Sequence, residues 1–164
     1  VLLLVPRRLA ARAAAEFIAR QLGEEPGATI GYQTRLDSRA GRATRVIAMT
    51  HGVFLSRIQA DPELAGVSAV LFDEVHERSL DGDFALALAL DAQGGLRPDL
   101  RLLAMSATLD GARFAELMDA PVIESEGRTY PLTLRHIGRA AETRIEDAVA
   151  AACRRALAEE QGGV

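Results

Sequence analysis

The stretch Val70-Leu71-Phe72-Asp73-Glu74-Val75-His76-Glu77-Arg78 runs from apolar side chains straight into two carboxylates and an imidazole. Val67 to Phe72 reads as a buried strand, and Val1 to Val5 as one buried on both faces, because parallel strands covered by helices show continuous apolar runs rather than alternation. The carboxyl end of the first then presents Asp73 and Glu74, which is where open parallel sheets build phosphate and nucleotide sites. The chemistry that fits is metal-assisted phosphoryl transfer. An Asp at a strand end holds a divalent cation against phosphate oxygens, and a neighbouring carboxylate acts as general base on water. His76, two residues on, faces the same side if the strand geometry continues.

Leu100 to Met105 is a second aliphatic strand, and it delivers Ser106-Ala107-Thr108 in the same manner. Taken alone, each segment has a plainer reading: the acids as a charged loop, and Ser106 and Thr108 as caps before a helix Asp110 to Met118. Their order and spacing together favour a site. Val1 to Val5 is another strand, stopped by Pro6, and Leu9, Ala13, Phe17, Ile18 and Leu22 then repeat at helical spacing up to Gly23. Ala28 to Gln33 and Arg45 to Met49 read as strands separated by a polar, arginine-rich stretch. Thr50 stands where it caps a helix through Phe54, Leu55 and Ile58 that ends at Asp61-Pro62. Asp83 starts a helix through Phe84, Leu86, Leu88 and Leu90 to Gly94-Gly95, and Pro121 to Ile123 is a candidate short strand. This alternation predicts an α/β fold, a mostly parallel sheet with helices on both faces. From Tyr130 the pattern changes, and Thr143 to Glu160 reads as an alanine-rich amphipathic helix.

The chain has 164 residues, the size of one compact domain. Its single cysteine, Cys153, cannot form an internal bridge, which suits a reduced cytoplasmic setting. No apolar run approaches the ~20 residues that span a bilayer. A net charge of −4 argues against a broad basic coat but leaves room for a groove lined by arginine. All 19 Lys+Arg residues are arginine, and without a lysine no phosphate loop of the form G-x-x-x-x-G-K-[ST] exists within these residues. Val1 is not an initiator methionine and the last helix has no later element to cover it, so the expectation is a segment of a longer protein, truncated at both ends.

The motifs in order carry a family resemblance. Asp73-Glu74-Val75-His76 matches the signature of the DEAH-box helicases of superfamily 2, with valine in place of the usual alanine at a position that carries no polar chemistry. Pro6-Arg7-Arg8-Leu9-Ala10-Ala11 resembles that family's motif Ia, and Thr50-His51-Gly52-Val53-Phe54-Leu55-Ser56-Arg57 its motif Ib. Gly31-Tyr32-Gln33-Thr34-Arg35 is similar to a characteristic stretch before the next strand, and Arg97-Pro98-Asp99-Leu100 through Ser106-Ala107-Thr108-Leu109-Asp110 resembles motif III with its lead-in. Gly127-Arg128-Thr129-Tyr130-Pro131 resembles the junction between lobes, and Val5 to Ala13, Asp61 to Leu64 and Ser125 to Arg128 look closest to a bacterial branch.

The resemblance implies a RecA-like P-loop NTPase lobe over residues 1–127, lacking its phosphate-loop segment, and a junction with the start of a second lobe over 128–164. It implies ATP and Mg²⁺ as cofactors, with Asp73 and Glu74 holding the metal and activating water. His76, Ser106, Ala107 and Thr108 would link hydrolysis to strand separation, and Pro6, Arg7, Arg8, Thr50, His51, Gly52 and Arg57 would lie on a nucleic-acid backbone. Such contacts give affinity without sequence choice. The implied partners are RNA, more than DNA, and the second lobe of the same protein; the implied setting is a bacterial cytoplasm, not a membrane. The isolated segment is expected to turn over no ATP, since it has neither phosphate cradle nor arginine finger. One rival reading is a nucleic-acid-binding lobe without its own hydrolysis, in which Glu74 has no purpose. Another, a strand-exchange or transporter ATPase, accounts for Asp73-Glu74 but not for the ordered companion motifs.

Overall fold

The computed structural model describes residues 1–107, 111–125, 133–138 and 140–159. The elements follow as β1 (Leu2–Val5), α1 (Arg8–Gln21), β2 (Ile30–Gln33), β3 (Ser38–Arg39), β4 (Val46–Thr50), α2 (His51–Ala60), β5 (Ala69–Phe72), α3 (Leu80–Gly95), β6 (Arg101–Ala104), α4 (Gly111–Met118) and α5 (Ile145–Glu159). The chain divides into two compact units, Val1–Ile123 and Glu124–Val164. In the second, α5 carries Glu146 and Asp147 in its first turn, where negative charge suits the helix dipole, and Arg135 pairs with Glu159 at 3.3 Å.

In the first unit the strands hydrogen-bond in the order β3-β2-β4-β1-β5-β6, and every pairing is parallel except that of β2 with β3. The sheet is covered on both faces, as expected. Side chains alternate across a strand, so Leu2, Leu4, Met49, Val70 and Phe72 enter one core with Phe54 and Ile58 of α2 and Ala85, Leu86 and Ala89 of α3. Val5, Ala48, Ile30 and Tyr32 enter the other, against Ala11, Ala15 and Ala19 of α1.

Several local expectations change. The stripe that announces α1 is only in part the face it buries: Ile18 packs against the core, but Leu9 and Phe17 are 83% and 62% exposed, whereas the three alanines have no exposure. Helix α3 begins at Leu80 rather than Asp83, because Ser79 caps it, its hydroxyl accepting from the Gly82 amide at 3.0 Å. Residues 121–123 form no strand, and Val122 and Ile123 are exposed. The arginine-rich stretch after β2 is a hairpin. Thr34 and Asp37 close its turn by backbone and hydroxyl bonds of 2.8 to 3.1 Å, and the buried Tyr32 donates its hydroxyl to Asp37 Oδ2 at 2.6 Å. Gly31 is required there, since a Cβ would stand 2.3 Å from the Arg39 carbonyl oxygen.

Arg97 explains why two distant stretches belong together. Its guanidinium donates to the carbonyls of Glu63, Leu64 and Val67 at 2.6 to 3.2 Å and to both Asp99 oxygens at 2.8 Å. The loop before β5 is thus strapped to the loop before β6, and the hydrogen bonds from Arg97 hold the Asp99 carboxyl below its ordinary pKa. This is scaffold chemistry.

Candidate active site and nucleic-acid groove

Strand register brings the candidate residues to one edge of the sheet. Val5 lies opposite Thr50, Leu4 opposite Phe72, and Phe72 opposite Ala104. The residues that follow, Pro6, His51, Asp73 and Met105, therefore emerge side by side. The Asp73 amide donates to the Leu4 carbonyl at 2.9 Å, the Met105 amide to Phe72 at 2.8 Å, and the Val75 amide back to Met105 at 3.1 Å. The acidic segment is thereby stitched to β1 on one side and to the start of Met105-Ser106-Ala107 on the other.

After Asp73 the strand geometry stops. Glu74 is left-handed (φ 54°, ψ 38°), Val75–Glu77 form a 3₁₀ turn closed by the Glu77 amide on the Glu74 carbonyl at 2.9 Å, and Arg78 is again left-handed (φ 45°). His76 consequently does not continue the face of β5, contrary to expectation. Its Nδ1 lies 3.3 Å from Glu74 Oε2, off the hydrogen-bonding direction, and is buried without a hydrogen bond. Each left-handed non-glycine residue costs about 1–3 kcal/mol, so the surroundings must hold this turn in place. Arg78 helps to do so, with Nε and Nη2 on the Asp83 carboxylate at 2.9 to 3.2 Å and the guanidinium 6.0 Å from the Phe114 ring centroid.

Asp73 Oδ1 accepts from the Glu74 amide at 3.0 Å, which fixes its carboxylate. Among the described residues no cluster of three or more His, Cys, Asp or Glu side chains forms a metal cage. Two adjacent carboxylates still suit Mg²⁺, which keeps several waters and takes one or two carboxylates beside phosphate oxygens. Ser106 is half-buried and Ala107 exposed, while Thr108 and the junction residues 127–131 lie outside the described residues.

Pro6, Arg7, Arg8, Thr50, His51, Gly52 and Arg57 all line one open groove of ≈ 1190 Å³ beside this turn. Sequence reasoning gave no site role to Gln33, Thr34, Arg35, Glu77 or Asp81, which line it too. The signal for the first three was present, in the Gly31 to Arg35 stretch. Thr50 occupies the N-cap position of α2 but its side chain makes no capping bond, in contrast to expectation. A Cβ on Gly52 would meet nothing within 4 Å, so packing does not demand glycine there. Pro6, His51, Glu77 and Ser79 also line a small cavity under Asp73 and Glu74, which makes them the shared wall of groove and turn.

His51 forms the floor of the groove rather than its surface. It is only 8% exposed, and a Cβ on Gly82 would come within 3.3 Å of its Cε1. Burial lowers its pKa from the ordinary 6.5, partly opposed by Asp81 and Asp83. A histidine depressed in the folded state gives stability that is complete above its unfolded pKa and is lost as pH falls below it, because the unfolded chain binds more protons. His51→Gln should therefore flatten the fall in melting temperature between about pH 7 and pH 5. Parallel melting curves for the two proteins across that range would discount the effect.

Among the described residues no helix is long and apolar enough to cross a membrane. No protein-family model matches the chain. It is 50% identical over 165 residues to the ATP-dependent RNA helicase HrpB of Escherichia coli strain K12, a match that takes in 100% of this chain and 20% of that protein. The ATP-dependent RNA helicase HrpA of the same organism is 44% identical over 132 residues, covering 80% of this chain and 10% of the relative. A human putative ATP-dependent RNA helicase, DHX57, is 43% identical over 128 residues, covering 77% and 9%. The crystal structure of the Escherichia coli DEAH/RHA helicase HrpB superposes with a TM-score of 0.87 and 51% identity over 99% of this chain and 21% of that one. The chain thus spans about one fifth of the length of the HrpB relative. With half its residues shared along its whole length and the same backbone course, the chain belongs to the DEAH-box helicase family.

Proposed function

We propose that the intact protein is an ATP-dependent helicase of the bacterial cytoplasm that acts on RNA rather than DNA, and that residues 1–127 are most of its first RecA-like lobe, with 128–164 leading into the second. The observation that carries this reading is the groove: seven residues named from sequence motifs line it together, next to the acidic turn. Arg7, Arg8, Arg35 and Arg57 supply positive charge. The start of α2 adds backbone amides that the Thr50 side chain leaves uncapped, a good seat for a phosphate group. Neither feature reads bases, so binding follows the backbone.

At the turn, Asp73 with Glu74 would hold Mg²⁺, which when bound neutralises charge on phosphate oxygens. Glu74 is the general base, taking a proton from water at its carboxylate; its side chain is 42% exposed, so water reaches it. Ser106, Ala107 and Thr108 with His76 form the coupling segment, since the Met105 backbone bonds directly to the turn. The RNA reading is tested by Arg8→Ala in the intact protein. Affinity for single-stranded RNA should fall to a similar extent for every sequence, and the slope of log affinity against log salt should drop by about 0.7 for one lost phosphate contact. Unchanged affinity and slope would remove Arg8 from the interface.

A further inference from the structure

Arg7 does not stand free over the groove. Its Nη2 donates to Glu77 Oε1 at 3.3 Å, joining the loop that leads into α1 to the last residue of the 3₁₀ turn that follows Asp73 and Glu74. A surface that binds a polyanion has no use for a carboxylate, yet Glu77 lines the groove among Arg7, Arg8, Arg35 and Arg57, with Asp81 as the other acid. The Arg7 side chain is 75% exposed and that of Glu77 39% exposed, so the pair is screened by water and readily exchanged. Arg7 also sits at the positive end of α1, which has no acid in its first turn, and a nearby anion suits it there.

Building on the groove as the nucleic-acid site, we propose that Glu77 stands in for a backbone phosphate. It holds Arg7 while the groove is empty and yields it when a single strand enters. The exchange releases one anchor of the turn that carries Glu74. That turn is built to respond, because left-handed Glu74 and Arg78 bound it and both depend on their surroundings. At the Arg78 end the anchor is Asp83, which lies on α3. Nucleic acid thus reaches the hydrolytic turn through one ion pair.

The test is Glu77→Gln in the intact protein, alone and with Arg7→Ala, read by titration with a single-stranded homopolymer RNA and by ATP turnover with and without it. Freeing Arg7 should tighten RNA binding about two- to fivefold, the worth of an exposed ion pair. The salt slope should keep its unaltered value, because Arg7 neutralises the same phosphate in both proteins. Turnover without RNA should rise, so that stimulation by RNA shrinks. In the Arg7→Ala background Glu77→Gln should change RNA affinity no further. Wild-type affinity and stimulation in Glu77→Gln would overturn the proposal. An equal gain with Arg7 absent would also overturn it, by showing general charge repulsion instead. If the unaltered protein bound no RNA, the groove reading itself would fall and this inference with it.

Discussion

Glu74→Gln should keep nucleotide binding by the intact protein, with Asp73 still in place to hold Mg²⁺, and lower ATP turnover by about 10²- to 10⁴-fold, the usual worth of a positioned general base. The amide matches the carboxylate in size, so the left-handed backbone at φ 54° and the bond from the Glu77 amide to the Glu74 carbonyl are kept. What is lost is the ability to accept a proton. Asp73, fixed by the Glu74 backbone amide rather than by its side chain, is undisturbed. Nucleotide titration and steady-state turnover, measured on the same preparation, separate binding from chemistry. Turnover within a few-fold of the unaltered protein would take Glu74 out of its assigned role.

Phe54→Ala should cost about 3–5 kcal/mol of folding stability, the range for truncating a fully buried aromatic ring. Phe54 has no exposure and meets Phe72 edge to face, with ring centroids 6.1 Å apart and planes at 82°. Such pairs add about 0.5–1.5 kcal/mol beyond area burial. The location makes the loss more than thermodynamic. Phe54 belongs to α2, which carries His51, Gly52 and Arg57, and Phe72 immediately precedes Asp73. One cavity would loosen both walls of the site. Denaturant unfolding should show the shift in midpoint at constant slope, with Phe54→Leu losing less; an unmoved midpoint in Phe54→Ala would show that this contact does not fasten the two elements.

The central parallel strands were legible because they are short aliphatic runs, a pattern that buried strands share, whereas β6 at the sheet edge leaves Arg101 and Leu103 exposed. Register was not, since it depends on which strands become neighbours, and register is what gathers Pro6, His51, Asp73 and Met105. The hairpin after β2 escaped because its turn is held by Thr34 and Asp37 rather than by apolar periodicity. Helix α1 was found from a stripe it buries only in part: Leu9 and Phe17 help to set the period but are exposed, and the alanines are buried. The acidic pair could be read locally, whereas the groove residues were visible only through the family motifs. Glu77 was overlooked because nothing in a run of charged residues distinguishes the one that folds back onto Arg7.

The alanine face of α1 acts as a spacer of minimum thickness. Ala11, Ala15 and Ala19 meet Val5, Ile30, Tyr32 and Ala48 of the sheet with single methyl groups, which lets α1 pack closely on the strands. That separation sets the height at which Arg7 and Arg8, at the leading end of the helix, stand above the sheet edge. The placement of the two arginines at the groove therefore depends in part on three buried methyl groups that do not line it.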